Sequence, residues 1–361
     1  MSVSAPTVSR PNARAFIFGT LLFIAIAVVG LYIVKWAPYW GKAHLAAATH
    51  SIGPSMVSGT TAAPPAVGWA AAWQYAFAYF NAVWTAVVLA LLLGASIQVF
   101  VPRRWLLQLL GAANARSAAI AGAISLAGMM CTCCTAPIVV GMRKQRTSME
   151  GALAFFLGNP LLNPAVLIFM GFVLGWQFAA IRLISAVLLI AVVVAVAHRF
   201  GAAIPNAEVD APSFELAPIE RPDASVRTLS LAWLKEMWNE IVAILPGYIA
   251  IVLLLGALRA FLFPPGLTLH TAGILPTALV ALAGTFFVVP TAGEVPIVQT
   301  LLAHGMSTSA AIALIVTLPA ISLPSLFIVR KVFPRKVLIA TFGIIFVGGV
   351  FIGSLAALFV H

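Results

Sequence analysis

Hydrophobic and polar positions along this chain alternate in long blocks, not in short periods. Apolar runs fall near 16–35, 72–101, 117–142, 149–173, 179–197, 239–261, 273–302, 307–329 and 337–359. Each is close to or above the roughly 20 residues that a helix needs to cross a bilayer. The pattern predicts an all-α polytopic membrane protein with about nine hydrophobic elements. A Pro-, Gly-, Ser- and Ala-rich stretch over 36–70 reads as an external loop. A second polar stretch, 198–236, carries Glu208, Asp210, Glu215, Glu220, Asp223 and several prolines, and reads as a flexible linker. The expected organisation is an N-terminal helix and loop over 1–70 and a first transmembrane repeat over 71–198. A cytoplasmic linker over 199–236 and a second repeat over 237–361 follow.

The word repeat rests on two stretches written to one plan, 159 residues apart. Setting Pro137 on Pro296 also pairs Thr132 with Thr291, Ser148 with Ser307, Ala152 with Ala311, Ala154 with Ala313 and Pro160 with Pro319, without a gap. Both stretches place proline inside an apolar run, where it removes an amide and frees the carbonyl four residues upstream. Duplicated, proline-interrupted hydrophobic segments are the mark of a transporter whose site lies between its halves.

Charge changes the picture of how the runs cross. With nine full spans and the N-terminus inside, the 20 Lys and Arg divide 11 inside to 9 outside. If 117–142 and 273–302 instead enter and leave on one side as hairpins, the division becomes 16 to 4. Basic loops stay cytoplasmic, so the hairpins are favoured. Three full spans and one hairpin per half then make the two repeats inverted. A parallel arrangement with every element spanning is the alternative. Arg10 and Arg14 precede a first run too long for a cleaved signal, so the N-terminus is expected to be cytoplasmic and the first helix retained.

Composition agrees. The chain is 62% hydrophobic and 8% charged, with a mean hydropathy of +1.08. A soluble domain carries about 25% charged residues. The formal charge of +11 sits in short basic clusters between apolar runs and gives no support to nucleic-acid binding. No Walker loop, nucleophile elbow or His-Glu-x-x-His occurs, and no cofactor motif is recognised. The chain reads as a permease and not an enzyme. Its partners are then a small-molecule or metalloid substrate and the bilayer of the cell (inner) membrane, with the oligomeric state left open.

Candidate chemistry collects at the breaks. Cys131, Cys133 and Cys134 are the only cysteines. Thiolates are soft ligands, and two or three can share one metal or metalloid ion. Cys131 and Cys133 are the candidate metal pair. The bland alternative is that each is a small buried hydrophobe. Glu294 is the one carboxylate read as lying well inside an apolar run. Its charge at the bilayer centre costs at least ~2.5–3.5 kcal/mol, which suits a proton-coupling group or a structural acceptor at the Gly293 break. Asn159, Pro160 and Asn163, with Pro319 and Ser322 in the second repeat, would line the substrate path. A membrane thiol oxidoreductase using a cysteine pair is the runner-up. Such thiols work in solvent-accessible sites, whereas these lie deep in apolar sequence.

Cys131-Thr132-Cys133 followed by Pro137, and then Asn159-Pro160-Leu161-Leu162-Asn163-Pro164, resembles the predicted-permease family that includes ArsP and YraQ. The resemblance covers roughly 72–359. It implies an inner-membrane permease whose best understood members export trivalent organoarsenicals. Cys131 and Cys133 match the family's Cys-x-Cys pattern. Cys134 is an addition that leaves another soft metal ion or a sulfur compound open as substrate, and Glu294 is not part of the resemblance.

Overall fold

The computed structural model describes residues 13–56, 68–201, 218–220, 224–262 and 273–357. Among these, seven helices are long and apolar enough to cross a membrane. The first combines α1 (Ala13–Leu31), a π turn (Tyr32–Trp36) and α2 (Ala37–Thr49). The helix expected to stop near residue 35 thus continues into the stretch read as a loop. Pro38 has no amide to give the ladder, and the bond at this level instead runs from the Ala37 amide to the Tyr32 carbonyl, the wide π spacing.

After α3 (Trp69–Phe100) and the short α4 (Arg103–Leu110), the chain turns by 112° into α5 (Ala115–Gly128). The 117–142 run is therefore not one helix. It breaks at Met129, whose backbone is left-handed at φ 48°, and resumes as α6 (Thr132–Lys144). α7 (Met149–Leu161) and α8 (Pro164–Val173) form one broken span, and α9 (Trp176–Gly201) returns. α10 (Val226–Leu262) starts ten residues earlier than the end of the expected linker, most of whose remainder lies outside the described residues. The second half continues with α11 (Ile274–Phe286), α12 (Glu294–Ala303), α13 (Thr308–Ala320), α14 (Leu323–Val329) and α15 (Arg335–Ala356).

Hydrogen bonds fix how the motif segments run. Ser117, at the start of α5, lies 3.2 Å from Ser148, just after α6, and the Ser148 amide donates to the Leu110 carbonyl at 2.7 Å. At its other end Gly128 packs on Asn159, near the end of α7. So α5 rises alongside α7 and α6 comes back, entering and leaving on one face. In the second half Thr277 donates to Ser309 at 3.2 Å, and Gly284 packs on Thr317, so α11 and α12 double back in the same way.

The faces are opposite. His50 contacts the Phe172 carbonyl at 2.6 Å and accepts from Gln299 at 2.9 Å, which places the ends of α8 and α12 together. Arg143 at the end of α6 reaches the Val332 carbonyl just beyond α14 at 3.4 Å. α3 and α10 cross antiparallel through Arg259 over the Tyr75 ring, Tyr79 with Tyr248, and Gln98 with Glu240. At a spacing of 159 residues α13 repeats the bounds of α7, and α11, α14 and α15 repeat the starts of α5, α8 and α9. Ser148 and Ser307 cap α7 and α13 identically, accepting from the amides three residues on.

Close packing of α6 on α3 depends on two glycines. A Cβ at Gly141 would meet the Gly94 carbonyl oxygen at 2.7 Å, and one at Gly94 would meet the Pro137 carbonyl oxygen at 2.9 Å. Backbone cannot swing aside as a side chain can. Gly141→Val is expected to destabilise the fold by about 1–3 kcal/mol through overpacking, read as a lower thermal midpoint in detergent. Gly122→Ala, with open space around its Cβ, should leave the midpoint unchanged; equal midpoints for both would disprove this contact's importance.

Candidate functional site

Four helix breaks meet at the centre, and each leaves backbone groups that water cannot reach. The ways they are satisfied build the site. α7 runs through Pro160 to Leu161 before breaking, and the Asn163 side chain restarts the chain by accepting from the Ala165 and Val166 amides at 3.1 and 3.3 Å. Ser322 does the same work for α14 in a reciprocal cap with Ser325. Pro164 cannot donate to the Pro160 carbonyl. The guanidinium of Arg182 does so instead, at 2.6 Å, and also reaches the Leu161 carbonyl at 3.4 Å.

Arg182 is fully buried, and its third contact is Glu294 at 2.7 Å. The pair joins α9 of the first half to the start of α12 in the second. Glu294 is therefore neither isolated nor aimed at free amides: it is the partner of a guanidinium. The 16-to-4 division counts Arg182 among the four outside, whereas the structure buries it at the centre. A lone Arg inside the 179–197 run was the available signal. Lys35, the last residue of the first apolar run, is also buried, donating to the Tyr39 hydroxyl at 3.3 Å and to Thr291 at 3.2 Å.

The three thiols are free, buried and mutually close. Cys131 Sγ lies 3.1 Å from Cys133 Sγ and 3.0 Å from Cys134 Sγ, and all three sulfurs fall within 4.8 Å of one another. Cys131 is the residue before α6, in extended backbone, while Cys133 and Cys134 lie in its first turn. That geometry lets one sulfur fold back over the other two. Cys133 also contacts the Tyr79 hydroxyl at 2.9 Å, which is itself 2.7 Å from the Tyr248 hydroxyl.

A cavity of about 10 Å³, room for roughly one water, sits between the halves. Cys131, Thr132 and Pro160 line it from the first half, and Thr291, Glu294, Pro319 and Ser322 from the second. Thr132 and Ser322 face each other across it at 3.3 Å. Five residues singled out in the sequence thus converge: Cys131, Pro160, Glu294, Pro319 and Ser322. Cys133 instead lines a second small cavity among apolar side chains of α3, α10 and α14. Asn159 and Asn163 are buried beside the break but line neither. Each keeps one amide atom, Asn159 Oδ1 and Asn163 Nδ2, without a hydrogen-bond partner.

Residues 82–358 match the family described as ArsP_1, predicted permease. The chain belongs to this predicted-permease family. A relative in Escherichia coli strain K12, the UPF0718 protein YraQ, is 47% identical over 345 residues, covering 94% of each chain. The UPF0718 protein MJ0584 of Methanocaldococcus jannaschii is 20% identical, covering 75% of this chain and 90% of its own. No solved structure matches. The permease is a multi-pass membrane protein, and the thiols, the ion pair and the cavity all lie inside its family segment. Lys35 lies outside it.

Breaking a buried ion pair from one side strands the other charge, at a cost of about 3–5 kcal/mol. Arg182→Met should therefore destabilise strongly, and Glu294→Gln as well. Combining them should cost clearly less than the sum, since no charge is left stranded. A double-mutant cycle by thermal or denaturant unfolding that gives additive losses would show that the two side chains act independently.

Proposed function

We propose that the chain is a secondary transporter that exports a small soft solute, such as a trivalent organoarsenical, by alternating access between two inverted repeats. The observation that carries this reading is the position of the thiol trio. Three sulfurs meet where both halves meet, and Cys131 lines a cavity whose walls come from both. A soft solute can exchange its ligands for Cys131 and Cys133, with Cys134 as a third. Rocking of one half against the other would open that position to one face and then the opposite one.

Pro160, Pro319 and Ser322 bound the position in this closed state. Asn159 and Asn163, with their unpartnered amide atoms, are placed to meet the solute as the breaks part. The basic face, where α6 ends at Arg143 and Lys144, is the cytoplasmic one on the positive-inside rule. The N-terminal end of α1 lies on the same face, with Gly19 packed on Phe100 at the end of α3. On this reading the N-terminus is cytoplasmic and the protein lies in the cell (inner) membrane. Family membership speaks for transport over thiol oxidoreduction.

Proton antiport enters through Glu294. While Arg182 holds it, Glu294 has its charge compensated, so a proton is exchanged there only when movement of the halves separates the pair. Coupling is then a competition between Arg182 and a proton for one carboxylate.

Uptake of radiolabelled methylarsenite into liposomes carrying the purified chain, with and without a pH gradient, tests the reading. Cys131→Ser with Cys133→Ser should reduce uptake to the level of empty liposomes while leaving insertion intact. Glu294→Gln should remove the effect of the gradient. Unaltered transport by the cysteine variant would eliminate the thiols as ligands, and gradient-dependent uptake by Glu294→Gln would eliminate that carboxylate as the coupling group.

A further inference from the structure

Glu294, Glu236 and Glu150 each have a basic partner, in Arg182, Lys144 and His198. Glu240 has none among the described residues, although it is only 3% exposed on α10. Its Oε1 accepts from the Gln98 amide at 2.7 Å, and its Oε2 has no hydrogen-bond partner. An ionised carboxylate offers about four lone-pair sites, so one amide leaves its charge poorly met. The surroundings also disfavour an anion. The two Glu240 oxygens lie 3.0 and 2.9 Å from where a Gly94 Cβ would stand, and the Pro137 carbonyl oxygen lies 2.9 Å from the same point. Three oxygens thus crowd the gap that Gly94 leaves between α3, α6 and α10. The charges that act on Glu240 are Lys144 of α6 and Glu236 of α10, which bind each other at 2.5 Å. α3 presents only the Gln98 amide, and α14 has no ionisable side chain.

Glu240 stands between the basic face and the centre. On the side of that face Gln145, just past α6, donates to the Gln98 carbonyl at 2.6 Å, and Glu236 precedes Glu240 by one turn. In the other direction Ile244 and Tyr248 follow at the same spacing of four. These four side chains lie on one face of α10, about 6 Å apart along its axis. Ile244 and Tyr248 wall the small cavity that Cys133 also lines. The row leads from the basic surface to the edge of the thiol site.

We propose that Glu240 is a proton-binding site on the cytoplasmic branch of the transport path, neutral while α3 and α10 are closed and deprotonated when they part. The inference rests on the alternating-access reading and adds a second station to Glu294. In the closed state a proton on Oε2 removes a charge that burial would penalise. When the halves separate, water enters beside Gln98, the carboxyl O–H bond breaks and the proton passes to that water. The carboxylate left behind is met by water and by the Lys144 ammonium. Carboxylates buried in spanning helices mark proton relays. Glu294 differs in kind, because a guanidinium competes with the proton there, whereas no cation stands against Glu240 in the closed state.

Infrared absorption of the full chain in liposomes reads this proton directly, through the carbonyl stretch of a protonated carboxyl and its shift in D2O. At neutral pH the wild type should show the band, Glu240→Gln should lose it and Glu236→Gln should keep it. Two fluxes of methylarsenite then read coupling: accumulation driven by a pH gradient, and exchange of labelled for unlabelled solute at equal pH. Glu240→Gln should lose the first and keep the second at the wild-type rate, a split that a merely structural residue does not give. Glu240→Asp, which restores an acid, should regain both the band and the accumulation. A band absent from the wild type, or unchanged in Glu240→Gln, overturns the proton site. Accumulation kept by Glu240→Gln, or exchange lost with it, overturns its place in the cycle. If no protein moves methylarsenite, the soft-solute reading falls, and the band still decides the proton site.

Discussion

A helix that stops inside a bilayer must give its free carbonyls and amides to something other than water. Every feature of the centre follows from that requirement. The first half breaks twice, at Met129–Cys131 and at Leu162–Asn163, and the second half breaks at matching places. Short polar side chains close the amide ends, as Asn163 and Ser322 do. The carbonyl end is harder, since it needs a donor, and in the first half Arg182 is that donor. A guanidinium presents five N–H groups in a fixed fork and stays charged. It can therefore serve two carbonyls and still bind a carboxylate. Glu294 follows from Arg182: the charge brought in to mend one break must be neutralised, and the neutralising group comes from the other half.

The two halves solve their common problems with different residues. Where α5 meets α7, the close approach joins Ser125 to Gly158; where α11 meets α13, it joins Gly284 to Thr317. Hydroxyl and glycine have changed places between equivalent positions. The centre is less symmetric. The thiols have Pro290, Ala292 and Gly293 as counterparts, Glu294 has Thr135, and Arg182 has Thr341. Symmetry sets where the breaks fall, and its local loss gives each half a separate chemical duty: sulfur on one side, carboxylate on the other.

Much of this was legible from spacing alone. Nine apolar runs become seven crossing helices and two doubled-back elements, because length and charge bias are crude but strong constraints. The starts of α7 and α13, and of α8 and α14, recur at a spacing of 159 because proline and N-cap positions are dictated by local backbone chemistry. What escaped were Lys35 and Arg182. Both stand near the ends of apolar runs, where a basic residue ordinarily marks the interface. Their burial depends on tertiary partners, the Pro160 carbonyl and Thr291, that no local pattern displays. Glu240 escaped for the same reason; it is buried on α10 against Gln98 of α3. The continuation of the first helix to Thr49 was hidden by Pro38, which reads as a helix stop and here only widens one turn.

The glycine–hydroxyl contacts carry a mechanical consequence. Ser125 on Gly158 and Thr317 on Gly284 leave no slack between a hairpin and the span beside it. Within each half the two are one stiff lever, and the compliance of the molecule is left to the seam between halves. That seam is crossed at several levels, by Gln98 to Glu240, Tyr79 to Tyr248 and Thr132 to Ser322, and Arg182 with Glu294 is the buried ion pair across it among the described residues. Parting the halves at that level means separating two buried opposite charges, so the pair acts as a latch on the seam.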